Sequence, residues 1–326
     1  MSSTIEHEQG GGRNIPSAKA GDGLKVGRNI PSAKAGDGLK VGTQNVEGLF
    51  RSEGGYHAAV SAVESLMTDR GLHILVLTET KPWRERHWEL IEAMKCAGLD
   101  WKATETLEEH QRASGAMVVY RKNGGLGCLR AYKDKAGRGV AAHMTTDAGA
   151  GFLVVGLYGV TSPDTTQNKL EASLLMGWAS DQVAIYRKRV GGEARVLMMG
   201  DFNGVEDPNR DRAPLKGGKT RKGGGDDRII NMLAKTGLRD VAELHGDENK
   251  TAYNMTFKNI VDKDGNPNGK SRIDRIYVGG GGLQHMVQDS GGAESEIRFG
   301  NSHHGLAWAE FSGGFVKPEK KPPAEN

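Results

Sequence analysis

The chain of 326 residues has only two cysteines, Cys96 and Cys128, and no apolar run approaching the ~20 residues that a membrane-spanning helix needs. The first shortage excludes a disulfide-stapled scaffold, and the second excludes a helical membrane protein. Met1 is followed by polar, glycine-rich sequence where a secretory signal would be apolar. These absences lead to the expectation of a soluble, intracellular protein, neither secreted nor membrane-bound; a monomer of the nucleus or cytoplasm is expected. An excess of charge of one sign is lacking too. Lys and Arg number 44 against 41 for Asp and Glu, a net +3 that permits a polyanionic partner without demanding one. There is no zinc motif and no recognition helix to read a base sequence. What the chain has in abundance is glycine, 48 residues, the mark of many loops.

Residues 1–38 are a leader built on a perfect repeat: the fifteen residues from Gly12 to Val26 recur from Gly27 to Val41. Two polar copies are too few for a solenoid. Residues 39–312 carry the apolar patterning of a folded domain, and 313–326, with Lys317-Pro-Glu-Lys-Lys-Pro-Pro, form a tail expected to be disordered. Strands are predicted at Leu39–Asn45, although Leu24–Asn29 offers a decoy copy, and at 73–78, 116–120, 151–158, 195–201, 251–258, 272–278 and after His304. Helices are predicted at 55–70, 84–98, 165–189, opened by Ser162-Pro163-Asp164, and 228–236. Strands accumulate faster than helices in the second half, which excludes an all-parallel sheet. The expected fold is α/β, with two mixed β-sheets packed face to face and helices outside.

The stretch Arg195-Val-Leu-Met-Met-Gly-Asp201-Phe202-Asn203 stops an apolar strand at a glycine and then presents a carboxylate and an amide two residues apart, on one side of an extended backbone. A carboxylate can deprotonate water, and an amide can donate to a phosphoryl oxygen that gains charge. Other strand ends carry Asn45, Glu79, Tyr158, Asp274 and Ser302-His303-His304. Each has a bland reading. Asn45 fits a turn, Glu79 a helix cap, Tyr158 a core aromatic, and Asp274 between two arginines a surface ion pair.

In this order, Asn45-Val-Glu-Gly-Leu, Leu77-Thr-Glu79-Thr-Lys-Pro, Tyr158-Gly-Val, Gly200-Asp-Phe-Asn203, Thr256-Phe257, Ser271-Arg-Ile-Asp274 and Ser302-His-His304 resemble the endonuclease/exonuclease/phosphatase superfamily. Thr78-Glu79-Thr80 and Gly237-Leu-Arg-Asp240 are most similar to its LINE-type retrotransposon branch. The resemblance implies a four-layer α/β sandwich and an endonuclease that nicks DNA with Mg²⁺ or Mn²⁺. It implies metal binding by Glu79 with Asn45 beside it, a water positioned by Asp201, phosphate contacts from Asn203 and Tyr158, and a His304 oriented by Asp274. Thr256 and Ser302 would support the substrate.

One position departs from that pattern, because His303 stands where the family usually has Asp. Loss of a charge about 4 Å from a divalent ion forfeits several kcal/mol at an effective dielectric near 20. Either His303 becomes a nitrogen ligand, favouring Mn²⁺ or Zn²⁺ over Mg²⁺, or catalysis is weakened. After Asn203 comes a loop with Arg210, Arg212, Lys216, Lys219, Arg221 and Lys222 among glycines, an expected phosphate-reaching arm, which Asp226 and Asp227 oppose. Two alternatives stand beside the DNA-nicking reading: an intracellular phosphatase or phosphodiesterase acting on a small phosphoester, and a DNA-binding domain that has lost catalysis.

Overall fold

The computed structural model describes residues 38–51, 55–80, 87–104, 115–161, 165–191, 194–211, 226–244, 257–258, 270–293 and 302–313. The repeat in the leader, the tail beyond Ser312-Gly313, the helix-start signal Ser162–Asp164, Thr256 and the basic positions Arg212, Lys216, Lys219, Arg221 and Lys222 lie outside these residues.

The chain opens with β1 (Leu39–Asn45), α1 (Gly55–Asp69), β2 (Ile74–Thr78), α2 (His87–Cys96), β3 (Leu99–Ala103) and β4 (Ala116–Arg121). Next come β5 (Leu126–Lys133), β6 (Gly139–Thr146), β7 (Gly151–Tyr158), α3 (Thr166–Val190), β8 (Arg195–Asp201) and α4 (Pro208–Asp211). The last part supplies α5 (Asp227–Thr236), β9 (Arg239–Asp240), α6 (Val241–Leu244), β10 (Phe257–Lys258) and β11 (Lys270–Ser271). It ends with β12 (Asp274–Gly279), β13 (Val287–Ala293) and β14 (Leu306–Phe311).

Among the described residues there are two six-stranded sheets, in the orders β13-β14-β1-β2-β4-β3 and β5-β6-β7-β8-β12-β9, and a short β10-β11 ladder. Both are mixed: β1–β2 and β7–β8 run parallel, while β1–β14 and β8–β12 run antiparallel. The continuous apolar run of β2 follows from burial on both faces. Ile74 and Val76 join Val41 and Val118 between the sheets, where Val154, Leu197, Met199 and Ile276 meet them from the second sheet. Leu75 and Leu77 turn the other way, onto Val60, Val63 and Met67 of α1 and Met94 of α2. In the second sheet Leu153, Val155 and Met198 face Leu175, Ala179 and Val183 of α3 and Met232 of α5. Helix, sheet, sheet and helix make the expected four layers, each fully buried Val or Leu contributing about 1.5–3 kcal/mol.

Helix ends explain two local readings. Thr165 caps α3 by accepting the Asn168 N–H (3.1 Å), one residue beyond the expected start signal. Asp226 caps α5 by accepting the Arg228 N–H and pairs with the Arg228 guanidinium at 2.6 Å, so this acid serves the helix. Of the strands missed by sequence pattern, β3, β5, β9 and β13 lie at sheet edges, β11 pairs with β10 in a two-residue ladder, and β6 is a run of small residues. Gly139 opens β6 under Trp178, whose ring would lie 2.5 Å from an added Cβ. Cys96 and Cys128 are both free thiols. No helix among the described residues is long and apolar enough to cross a membrane.

Candidate active site

The two sheets bring their strand ends to a common rim, and side chains from one sheet bond to side chains from the other. From the first sheet come Asn45 at the end of β1, Glu79 just after β2 and His304 just before β14. The second supplies Tyr158 at the end of β7, Asp201 at the end of β8 and Asp274 at the start of β12. Strand register aligns the second set: Tyr158 and Asp274 are both direct partners of Asp201. Three hydrogen bonds then cross the seam. The Asn45 amide donates to Asp201 Oδ2 (2.9 Å), the Tyr158 hydroxyl donates to Glu79, and His304 Nδ1 lies 2.9 Å from Asp274 Oδ2. His304 Nε2 faces Asp201 Oδ2 at 3.9 Å. Residues as far apart in sequence as Asn45 and His304 are thus joined in one chain from Asp274 through His304 and Asp201 to Asn45.

Glycine makes the close approach of β7 and β8 possible. An added Cβ at Gly159 would lie 2.1 Å from the Phe202 carbonyl oxygen, and one at Gly200 1.9 Å from that of Leu157. Asn203 takes a left-handed conformation (φ 49°), which Asn tolerates better than most residues. Its backbone N–H donates to Asp201 Oδ1 (2.8 Å), while its side-chain amide donates to the Gly159 carbonyl (3.1 Å) and lies 3.3 Å from Asp201 Oδ2. The guanidinium of Arg138 donates to the same Gly159 carbonyl (3.2 Å) and sits over the Tyr158 ring, 5.1 Å from its centroid.

Burial sets the protonation of the cluster. It raises the Asp201 carboxyl, helped by the neighbouring Asp274 charge and opposed by His304 and the Asn45 amide, to about 7. For His304 burial alone would lower the imidazole, but the charge of Asp274, its hydrogen bond and Asp201 outweigh it and lift the group to about 9. Burial first, then Asp201 and Glu79, pushes the Tyr158 hydroxyl up, so it remains a donor at neutral pH. The outcome is a base poised near neutrality beside a protonated imidazole. Ligand atoms of Asp201, Asp274 and His304 lie within 4.8 Å of one another, yet the 2.9 Å separation of His304 and Asp274 is a hydrogen bond, which fits a proton relay better than a metal cage.

Around this centre the expected residues take distinct places. Ser302 Oγ donates to the Asn45 carbonyl (2.8 Å) and accepts from the His304 N–H (3.2 Å), so it braces the turn before β14 against β1. His303 is half-buried against Glu47, its Nδ1 lying 3.1 and 3.2 Å from the two carboxylate oxygens and its N–H donating to Oε1 (2.9 Å). Glu47, two residues beyond Asn45 and with φ 44°, was missed as a site residue, although it repeats the spacing of Asp201 and Asn203. The arginines flanking Asp274 do not form a surface pair with it. Arg272 and Arg275 are buried and pair with Asp211 of α4 and Asp240 of β9, Arg272 at 2.9 and 2.7 Å. That network engages both neighbouring arginines, while the Asp274 carboxylate bonds to His304. Nothing in a linear pattern identifies Asp211 or Asp240 as its acids.

An α/β sandwich with a carboxylate–imidazole–carboxylate chain and an amide at one rim defines a hydrolase-type site. A family model described as the Endonuclease/Exonuclease/phosphatase family matches residues 42–293, and the chain belongs to that family. Solved structures similar to it include a 3′ phosphatase from Neisseria bound to a product DNA hairpin (TM-score 0.61, 19% identity, covering 84% of this chain and 99% of that one). An AP endonuclease from Archaeoglobus fulgidus has TM-score 0.60 and 16% identity, covering 84% and 99%. TDP2 from D. rerio, complexed with single-strand DNA product, has TM-score 0.56 and 15% identity, covering 84% and 98%. No curated protein matches the chain by sequence.

Proposed function

We propose that the chain is a divalent-metal-dependent phosphodiesterase that nicks DNA, in the manner of a retroelement endonuclease. The carrying observation is the relay from Asp274 through His304 to Asp201, with the Asn45 amide bonded to Asp201 across the seam. Support comes from family membership and from similar structures solved with DNA product. The Thr78-Glu79-Thr80 form supports the retroelement branch.

Asp201, near half-ionised at neutral pH, takes the proton of an attacking water, while the Asn45 amide holds its Oδ2. Asn203, freed from its longer contact with Asp201, donates to a phosphoryl oxygen, and Tyr158 donates a second hydrogen bond. The His304 imidazolium, oriented by Asp274, neutralises charge on the phosphate or passes a proton to the leaving oxygen. The rim also fits a hard cation. Its donors are oxygen-rich, with the Asn45 amide oxygen at the end of β1 and Glu47 and Glu79 just beyond the parallel β1 and β2. Glu79, with Asn45 beside it, would hold Mg²⁺ or Mn²⁺, and a bound ion supplies Lewis-acid stabilisation of the phosphate.

Incubation with supercoiled plasmid and Mg²⁺ or Mn²⁺ tests this directly. Nicking that requires the ion and disappears in His304→Ala is the expected result. Turnover of small phosphoesters without nicking would replace DNA by a small substrate, and DNA binding without cleavage in either metal would leave a binding module.

A further inference from the structure

Charge is distributed unevenly outside the rim. Residues 126–146, spanning β5 and β6, hold four cations, Arg130, Lys133, Lys135 and Arg138, against the single acid Asp134. The end of α3, from Gln182 to Gly191, adds Arg187, Lys188 and Arg189 and no acid. Seven cations against one acid is +6 in a chain whose total is +3, so the rest of the molecule is net negative.

The two segments form one surface. Arg189 donates to the Tyr132 hydroxyl (3.4 Å) and lies 3.3 Å from His143 Nδ1, while His143 packs between Tyr132, tilted to it, and Tyr186, edge-on, at centroid distances of 5.2 and 4.9 Å. Asp134 is occupied inside the β5–β6 turn, accepting backbone N–H groups of Ala136, Arg138 and Gly139. Burial and then Arg189 and Arg130 lower His143, and the same two arginines lower Tyr132, with no carboxylate acting on either. A helix C-terminus and a sheet edge each attract some cations. Those effects account for Arg187 or for a lysine on β5, but not for Arg130 and Arg189 brought together around a buried imidazole. At its other end the surface reaches the rim through Arg138, over the Tyr158 ring.

We propose that this face, from Arg138 to Arg130 and Arg189, is a second contact surface for the phosphodiester backbone of DNA, gripping the flank of a duplex whose scissile phosphate lies at Asp201 and His304. The inference rests on the phosphodiesterase reading of the rim. Register sets the reach. Arg130 is the partner of His143 and His143 of Leu153, five residues before Tyr158. That is about 17 Å at ~3.3 Å per residue, or roughly five base pairs at ~3.4 Å each.

The test is fluorescence anisotropy with a labelled duplex of about 30 base pairs and a hairpin duplex trimmed to about four base pairs on either side of the cut. Wild type is compared with Arg130→Ala/Arg189→Ala and with Lys135→Ala/Lys188→Ala, the latter pair being exposed and outside the aromatic cluster. On the long duplex each lost cation should weaken binding about fivefold at ~0.15 M salt and reduce the salt slope by about 0.9. Binding of the short hairpin, and the nicking rate at saturating DNA, should not change. Equal losses on both lengths, or no loss on the long duplex in either variant, would overturn the proposal. Absence of nicking together with this length-dependent binding would instead sink the reading of the rim and leave the face in place.

Discussion

Replacing Asp274 by Asn probes the relay at its anchor. The substitution keeps the shape of the side chain but removes the charge that opposes burial at His304. In the native protein that imidazole is lifted from 6.5 to about 9, which corresponds to about 3 kcal/mol of preference for the charged ring. Without the Asp274 charge, burial dominates and the group falls to its ordinary range or below. The same change relieves the second-largest force raising Asp201, but a neutral His304 no longer lowers it, so the two effects on Asp201 oppose each other. Nicking should therefore follow a bell in the native protein, needing Asp201 ionised above about 7 and His304 protonated below about 9. In Asp274→Asn the upper limb, that of His304, should move to lower pH, and the rate at pH ~8 should drop on the order of 10²–10⁴-fold. Imidazole NMR of the metal-free protein reads the His304 titration without any substrate. Stability gives an independent sign. Both folded values lie above the unfolded ones, so the native state binds more protons. The contribution of His304 is full below 6.5 and is lost as pH rises through about 9, and that of Asp201 is lost between 3.8 and about 7. The variant should lose the upper of these two slopes. A ring that still titrates near 9 after the substitution, or an unmoved pH optimum, would refute the reasoning.

Other perturbations follow from the same geometry. Asp211→Ala leaves two buried guanidiniums short of a partner and should cost about 3–5 kcal/mol in urea denaturation, against little for an exposed acid such as Asp147. His303→Asp sets a second carboxylate against Glu47, so the variant should be less stable than wild type in chelator and gain stability with Mg²⁺, read as melting temperature with and without the ion. Unchanged metal dependence would show that the imidazole at this position is neutral for the site. Deletion of residues 216–222 should weaken DNA binding and flatten its salt dependence, as measured by anisotropy across a salt series.

Much of this was legible in the chain because chemistry here sits at strand ends. A strand buried on both faces writes a continuous apolar run, and the polar residue that stops it, Asn45, Glu79, Tyr158 or Asp201, is visible by contrast. Sequence order then let the fragments be read together. What pattern could not supply was partnership across the fold. Asp274 looked like one member of a surface ion pair until Arg272 and Arg275 proved to be bonded to Asp211 and Asp240, 61 and 32 residues from Arg272. His303 was read for its metal chemistry, whereas its neighbour Glu47 is evident only once β1 and the turn before β14 are adjacent. Strands β5 and β13 escaped because edge strands carry half-exposed, mixed residues, and β6 because alanines and a glycine give little hydrophobic contrast.

Three side-chain bonds cross from one sheet to the other at the rim, and all three use groups assigned to chemistry. Reactive groups here also serve as stitches, so a substitution that silences the site also unpicks an edge of the sandwich. Amide hydrogen exchange at the ends of β1 and β8 should quicken in such variants, while the far ends of the same strands stay protected. Substrate must loosen some of these stitches on entering, which makes the unliganded rim a closed seam that binding works open.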